Sequence, residues 1–361
     1  MSKCIPLLRV LPIVLFLSPL FASGTGTLDN LKKLIKSGKS LKGLNIEIKT
    51  KKPVKGDKPG SFMPSMGAGD IFMLLTYVAE LKKRGANVVY SVPGYLKTVI
   101  NSYTGFNVSP EQDVQYKTIE LSTLYDVLGG KPFKTTKVKF TVDPQRLKKW
   151  DAYLDKVCGD EMPVAFFYGC AKNHRPERAL TPQVGQLVSG LKGIKFIDLE
   201  YKSKFSHPDV AKPAAVDPQF DKKSFMDTAA LLYAIFSRGG KVIAPDSGPL
   251  HLSSQIAEQM CKECVYACLL ENPNERWRKT RYKGNSKTKC IWYPMAVRLF
   301  RKDSYQAAGK GRWTVLVKEI RKNLKEEAKK YKQKRALKKK KVVTEKKNKP
   351  KKLKDILKES K

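Results

Sequence analysis

Acidic residues are scarce in this chain. Only 33 Asp and Glu stand against 71 Lys and Arg, a formal charge of +38 over 361 residues. That imbalance argues against a basic partner and suits a polyanion, an anionic membrane or an anionic small molecule. A second close cysteine pair is missing as well. Cys261, Cys264 and Cys268 form C-x2-C-x3-C with Cys290 beyond, a spacing that zinc or iron–sulfur sites use but complete with further ligands. The run Cys264–Leu270 reads instead as a buried strand in which cysteine packs as a small hydrophobe, and no metal site is expected. The seven cysteines do not decide a redox compartment. No internal repeat is found, and 24 Gly, 21 Pro and 41% hydrophobic residues exclude a collagenous or wholly disordered chain. The length suggests two domains at roughly 100–200 residues each.

The charge is unevenly spread. Residues 325–361 carry a net +13 and residues 27–60 a net +7, so more than half of the excess lies outside the central stretch 61–324, which keeps +16. At the N-terminus, Lys3 and Arg9 precede an apolar run, Val10–Phe21, that ends in Ala22-Ser23-Gly24. A charged start, an apolar middle and a small-residue exit describe a signal peptide over residues 1–24, or an uncleaved anchor. The run is short for a bilayer span, which needs about 20 residues. The lysines that follow (Lys32, Lys33, Lys36, Lys39, Lys42) favour a cytoplasmic position for the body.

Residues 25–60 read as a basic linker that carries a short strand near Leu44–Ile48. From Ser61 an alternating α/β pattern begins: Gly67-Ala-Gly-Asp70 opens a helix through Leu81, Val88–Val92 is a strand, and a helix runs over 94–102. The amphipathic stretch 145–158 reads as a helix joining two lobes, 61–158 and 159–324. In the second lobe, strands at 164–168, 195–199, 241–244 and 265–270 alternate with helices at 183–191, 224–237 and 249–259. The expected fold class is α/β, two doubly wound Rossmann-like lobes facing a cleft, with the last helix able to return to the first lobe. The Lys-rich tail 325–361 is expected to be disordered or helical. It reads as a solvated tail or as an electrostatic attachment to anionic lipid or nucleic acid. Apart from Tyr331 it has no aromatic residue to stack on bases, so specific nucleic-acid recognition is not expected.

Four constellations could carry chemistry. Ser65–Ile71 is a loop entering a helix, where Gly67 and Gly69 let backbone N–H groups approach an anion. Asp70 is either a general base beside that loop or a helix N-cap. Ala244–Ser253 ends a strand, makes a tight turn and starts a helix at Pro249. Ser247 and the N–H groups around Gly248 would then cradle a diphosphate, with His251 on the first turn. The third, Cys170–Arg178, gathers Lys172, His174, Arg175 and Arg178 after a strand, as a phosphate site or a solvated basic loop. The fourth, Glu275–Arg278 with Trp292-Tyr-Pro294 and Arg298–Arg301, could line a pocket but fits ordinary packing better. Glu200, at a strand end, is placed to accept from a ribose hydroxyl or to lie in solvent.

At these residues the chain resembles glycosyltransferase family 9, the heptosyltransferase type. Asp246-Ser-Gly-Pro-Leu-His251 with Leu252-Ser253 is similar to the family's D-[ST]-G-x-x-H-[LI]-[AS] motif, and Gly67-Ala-Gly-Asp70 to its N-terminal G-[LM]-G-D loop, with Ala68 where a larger apolar residue is usual. Asp227-Thr-Ala-Ala-Leu231, Arg276-Trp277, Trp292-Tyr-Pro294, Arg298-Leu-Phe-Arg301 and Gly311-Arg-Trp313 follow the order seen in bacterial relatives fused to tetratricopeptide repeats. The resemblance covers roughly 61–324. It implies a GT-B architecture and an inverting, metal-independent sugar transfer from a nucleotide-sugar donor to an envelope, lipopolysaccharide-like saccharide acceptor, with no cofactor. Asp70 would be the base, Asp246, Ser247, Gly248 and His251 would hold the donor diphosphate, and Lys172 or Arg178 would neutralise the leaving group. The donor implies a membrane-associated protein with its body on the cytoplasmic face, because an exported one would lack nucleotide sugar. The basic tail would contact the anionic membrane.

Overall fold

A computed structural model describes residues 28–50, 67–169 (apart from 104, 131 and 134–137), 179–261 (apart from 181–182, 201–202, 218–219 and 221–224), 263–270, 290, 292–302 and 312–359. The first part of the chain runs α1 (Leu28–Lys36), β1 (Asn45–Lys49), α2 (Ala68–Met73), α3 (Leu75–Lys83), β2 (Asn87–Ser91), α4 (Gly94–Asn101), β3 (Lys117–Glu120), α5 (Leu121–Val127) and α6 (Pro144–Cys158). The second part runs β4 (Met162–Phe166), α7 (Val184–Val188), β5 (Ile194–Asp198), β6 (Val210–Ala211), α8 (Pro213–Val216), α9 (Met226–Ser237), β7 (Lys241–Pro245), α10 (Gly248–Ala257), β8 (Val265–Leu270), β9 (Val297–Lys302) and a last helix, α11 (Arg312–Glu359). The chain is thus mixed α/β, and both of its sheets are parallel. No helix among the described residues is long and apolar enough to cross a membrane.

The smaller sheet has the order β2-β1-β3, so β1 is its central strand. The short strand expected near Leu44–Ile48 is thus present at Asn45–Lys49, and it lies at the centre of a sheet. Ile46 and Ile48 are fully buried and alternate with Asn45, Glu47 and Lys49, which is the pattern of a strand with one covered face. Lys49 at its end keeps its head in water while the backbone pairs. Arg84 ties α1 to this unit by donating to the carbonyls of Leu34, Ile35 and Lys39 at 3.0, 2.8 and 2.9 Å. A cation there satisfies the open carbonyls at a helix C-terminus.

The larger sheet has the order β6-β5-β4-β7-β8-β9, which in order of appearance is 3-2-1-4-5-6. Every residue of β4 and β7 is buried, as central parallel strands covered on both faces must be. One face packs against α7 and α11. The other packs against α6, α9 and α10, in a core continuous with that of the smaller sheet.

Two boundaries move from their sequence-based positions. Helix α6, expected to join the lobes, packs on α9 and β4. Asp227 of α9 accepts from Arg146 Nη1 at 2.8 Å and from Trp150 Nε1 at 3.0 Å, and Arg238 bonds Asp151 and Asp155. The second unit therefore starts near Pro144 rather than at 159. The tail does not start at 325 either. Trp313, Leu316, Val317, Ile320, Leu324, Ala328 and Tyr331 of α11 are buried on the large sheet, where the helix stays without returning to the smaller one. Their spacing of three and four residues makes one stripe, and the lysines between them mask it in composition.

Glu327 of α11 bridges Lys241, buried at the start of β7, at 3.0 Å and Lys330 at 2.8 Å. Burial alone would raise its carboxyl, but the bonds to Lys330 and Lys241 outweigh that and hold it below the ordinary value. A lowered folded-state pKa stabilises above the unfolded value and is lost as pH falls through the folded one. Glu327→Gln is expected to cost about 1–3 kcal/mol at neutral pH in urea unfolding. The difference from the parent should vanish below the carboxylate range. An equal deficit at both pH values would contradict the assignment.

Candidate functional site

In an open parallel sheet of this order, connections leave opposite faces on either side of the first and fourth strands, and the crevice at their carboxyl ends is where ligands bind. Here those strands are β4 and β7. After β4 the chain passes to α7 on one face, and after β7 it passes to α10 on the other. The crevice is bordered by Tyr168 and Gly169 after β4 and by Asp246, Ser247 and Gly248 after β7.

Ser247 is the N-cap residue of α10 in extended conformation (φ −155°, ψ 170°), but its hydroxyl donates back to Pro245 O at 3.1 Å and makes no cap bond. Pro249 has no N–H to satisfy, which suits the first turn. His251 is buried in that turn. Its Nε2 lies 3.7 Å from Asp246 Oδ1 and its Nδ1 is 3.1 Å from Tyr293 Oη. Both Asp246 and His251 are therefore held inside the protein rather than presented to solvent, and Tyr293 of the Trp-Tyr-Pro segment supports the ring.

Gly67-Ala-Gly-Asp70 comes from the other end of the chain and packs on this turn. Gly67 is the N-cap of α2 and Asp70 is its third residue. The carboxylate of Asp70 reaches back to accept the Gly67 N–H at 3.1 Å. Asp70 is thus a first-turn acceptor, not the N-cap residue that the cap reading expected. Tyr90, whose hydroxyl donates to Ile71 O at 3.1 Å, is pushed up first by burial and then by the charge of Asp70. Gln255 of α10 donates to Phe72 O at 2.8 Å, binding the two helices along their length. At their starts the approach is closer still. A methyl on Gly69 would lie 2.8 Å from His251 Cδ2 and 3.5 Å from the Gly248 nitrogen, and a methyl on Gly248 would lie 3.2 Å from Ala68 Cβ. Position 69 leaves no room for a side chain unless His251 shifts, and position 248 is tight against Ala68. The small Ala68 faces the same contact.

On the other border, Glu200 Oε2 accepts the N–H groups of Tyr168 at 3.0 Å and Gly169 at 2.7 Å. Gly169 has no room for a methyl, which would sit 2.6 Å from Glu200 Oε1. Asp198, the last residue of β5, accepts the Glu200 N–H at 2.9 Å and the Ser203 hydroxyl, and Ser203 Oγ lies 2.6 Å from Tyr168 Oη. Burial raises the Asp198 carboxyl, partly offset by Ser203 and the Glu200 N–H. Sequence reasoning missed Asp198, Tyr168 and Ser203. The available signal was an acid closing the strand Lys195–Leu199.

Lys172, Arg178 and the rest of the third constellation lie outside the described residues, as do Glu275–Arg278. Asp227, part of the family-like Asp-Thr-Ala-Ala-Leu step, is occupied by Arg146 and Trp150. Arg298 and Phe300 sit on β9, with Phe300 buried. Cys261 and Cys264 form a disulfide, and Cys158, Cys268 and Cys290 are buried thiols, burial pushing Cys158 up to about 11. Among the described residues no three His, Cys, Asp or Glu gather as metal ligands.

No protein-family model matches the chain. No curated protein matches it. Among solved structures it is similar to the crystal structure of the glycosyl transferase family 9 from Veillonella parvula, with 12% identity, a TM-score of 0.47, and coverage of 82% of this chain and 99% of that one.

The glycine contact is directly testable. Gly69→Ala in α2 gains up to about 1 kcal/mol of helix propensity, but the clash with His251 costs about 1–3 kcal/mol, so net destabilisation is expected. Gly94, the first residue of α4, has nothing within 4 Å of an added methyl. Gly94→Ala should be neutral or stabilising in the same urea titration. If both variants behaved alike, the close approach would be refuted.

Proposed function

We propose that the protein transfers a sugar from a nucleotide-sugar donor to a saccharide acceptor. One observation carries this reading: two glycine-rich helix starts some 180 residues apart in sequence meet at the carboxyl-end crevice of a 3-2-1-4-5-6 sheet, one bearing Asp70 and the other the Asp246–His251 turn. A parallel sheet of this order offers a diphosphate the N-terminus of the helix after its fourth strand. Ser247, turned away from its own helix, leaves that end to a ligand. In this reading the acceptor hydroxyl gives its proton to Asp70, its oxygen bonds the anomeric carbon, and the bond from that carbon to the diphosphate oxygen breaks with inversion. Lys172 or Arg178, with the dipole of α10, neutralises the departing nucleoside diphosphate without a metal ion. Glu200 fixes the turn after β4 and presents the same carboxylate to a ribose hydroxyl. The acceptor class, an envelope saccharide of the lipopolysaccharide kind, rests on the motif resemblance.

A second reading, a non-catalytic nucleotide-binding protein on the same scaffold, is favoured by the direct contact of Ala68 and Gly69 with Gly248. Two substitutions separate the readings. Ser247→Asp supplies a good N-cap, so stability should hold or rise, while its charge repels a diphosphate and should weaken nucleoside-diphosphate binding to the full chain about tenfold or more. Unchanged affinity would remove the crevice as the donor site in both readings. Asp70→Asn keeps an acceptor for the Gly67 N–H, so fold and donor affinity should persist. Turnover of the nucleotide sugar that binds should fall about 10²–10⁴-fold. A fully active Asn variant would rule out Asp70 as base. Saturable binding with no turnover by the parent protein would select the second reading.

A further inference from the structure

We propose that residues 336–359, the outer half of α11, form a basic helical arm that attaches the protein to an anionic lipid surface. The inner half of the helix is fully committed to the body. Beyond its buried stripe, Arg321 donates to Gln186 O and Leu187 O, Glu327 pairs with Lys241 and Lys330, and Arg335 donates to Gly159 O at 2.8 Å and lies 3.4 Å from Asp160. Past Arg335, Ala336, Leu337 and Lys340 are exposed, and the helix continues to Glu359. The helical rise makes the outer 24 residues about 36 Å long. Because the same helix is anchored through its inner half, the arm leaves the body in a set direction as far as Pro350, where the missing N–H and the ring crowding the Lys346 carbonyl favour a bend.

Its place on the body is equally defined. Gly159 and Asp160 precede β4, so α11 runs back along the sheet and leaves at the amino ends of the strands. The crevice of the candidate site lies at the carboxyl ends. A surface held by the arm therefore leaves the crevice open.

The composition selects the partner. Residues 336–359 hold 11 Lys against 3 Asp and Glu, with no Arg and no aromatic residue. Nucleic-acid readers use arginine forks for phosphate and aromatic faces for bases, and the arm has neither. Lysines are mobile point charges suited to a diffuse anionic surface, and clusters of them beside an apolar helix face are the pattern of attachment to acidic lipid. Leu353, Ile356 and Leu357, at spacings of three and four near the end of the arm, supply apolar residues on one helix face.

The test is vesicle co-sedimentation of the full chain with phosphatidylcholine vesicles containing or lacking 30% phosphatidylserine. Neutral vesicles report any contribution of the apolar run Val10–Phe21. Binding is expected to be at least tenfold tighter to the acidic vesicles at 0.1 M salt, and most of that preference should disappear at 0.5 M. A chain ending at Arg335 keeps every described contact of the inner helix and should bind both vesicles alike, with an unchanged thermal melt. The K338Q/K339Q/K340Q/K341Q variant, which leaves the helix intact, should lose severalfold of the acidic preference and carries the test if the shortened chain fails to fold. The proposal is overturned if the quadruple variant binds acidic vesicles like the parent. It is equally overturned if the parent shows no acidic preference, or if it binds a 20-nucleotide DNA more tightly than the vesicles.

Discussion

The contact between Gly69 and the His251 turn is the constraint on which the architecture turns. Two helix N-termini, each carrying a partial positive charge, are packed closely together. Such an arrangement is unfavourable unless negative charge is supplied locally, and each helix brings its own. Asp70 takes the Gly67 N–H, and Asp246 sits beside His251 just before α10. Glycine at 69 and 248 removes the steric barrier, and the two aspartates offset the electrostatic one. The Gln255–Phe72 bond and the shared core then extend one local contact into an interface between the small sheet and the large one.

The opposite border of the crevice is built on a different principle. Around Gly169 the free N–H groups are already met by the carboxylate of Glu200, itself held through Asp198 and Ser203. One side of the crevice is thus internally neutralised, and the other, at α10, leaves a helix start that its own N-cap residue does not serve. An anion entering here meets an asymmetric site, repelled from the β4–β5 side and attracted to the α10 side.

Much of this was legible in the sequence. The apolar runs of β4, β5, β7 and β8 and the helices between them lie within a few residues of their expected positions, because buried parallel strands are nearly continuous hydrophobic segments. The two glycine-rich turns were legible too, since glycine before an amphipathic helix has few other uses. The strands that escaped, β3 with Lys-Thr-Ile-Glu, β6 with two residues and β9 with Val-Arg-Leu-Phe-Arg-Lys, all lie at sheet edges. The docking of the inner half of α11 escaped for another reason, as its apolar residues are diluted by lysine, and of β1, read as a short strand near Leu44–Ile48, only the central place in its sheet went unseen. The pairing of Glu200 with two backbone N–H groups had no signature at all, because it depends on three-dimensional proximity across 31 and 32 residues.

The distribution of basic charge can now be divided by distance. At physiological salt the Debye length is about 8 Å, so exposed charges farther apart than that act almost independently. Strand β4 spans five residues, about 16 Å from its amino end, where α11 leaves, to its carboxyl end at the crevice. The lysines of the arm are farther away again. They add little to the potential felt by a ligand between β4 and β7, which depends on the end of α10 and on side chains within one Debye length. The net charge of the chain is therefore a poor guide to the affinity of its crevice. The arm and the crevice can change in sequence without obliging each other to change, and the docked half of α11 is the only rigid link between them among the described residues.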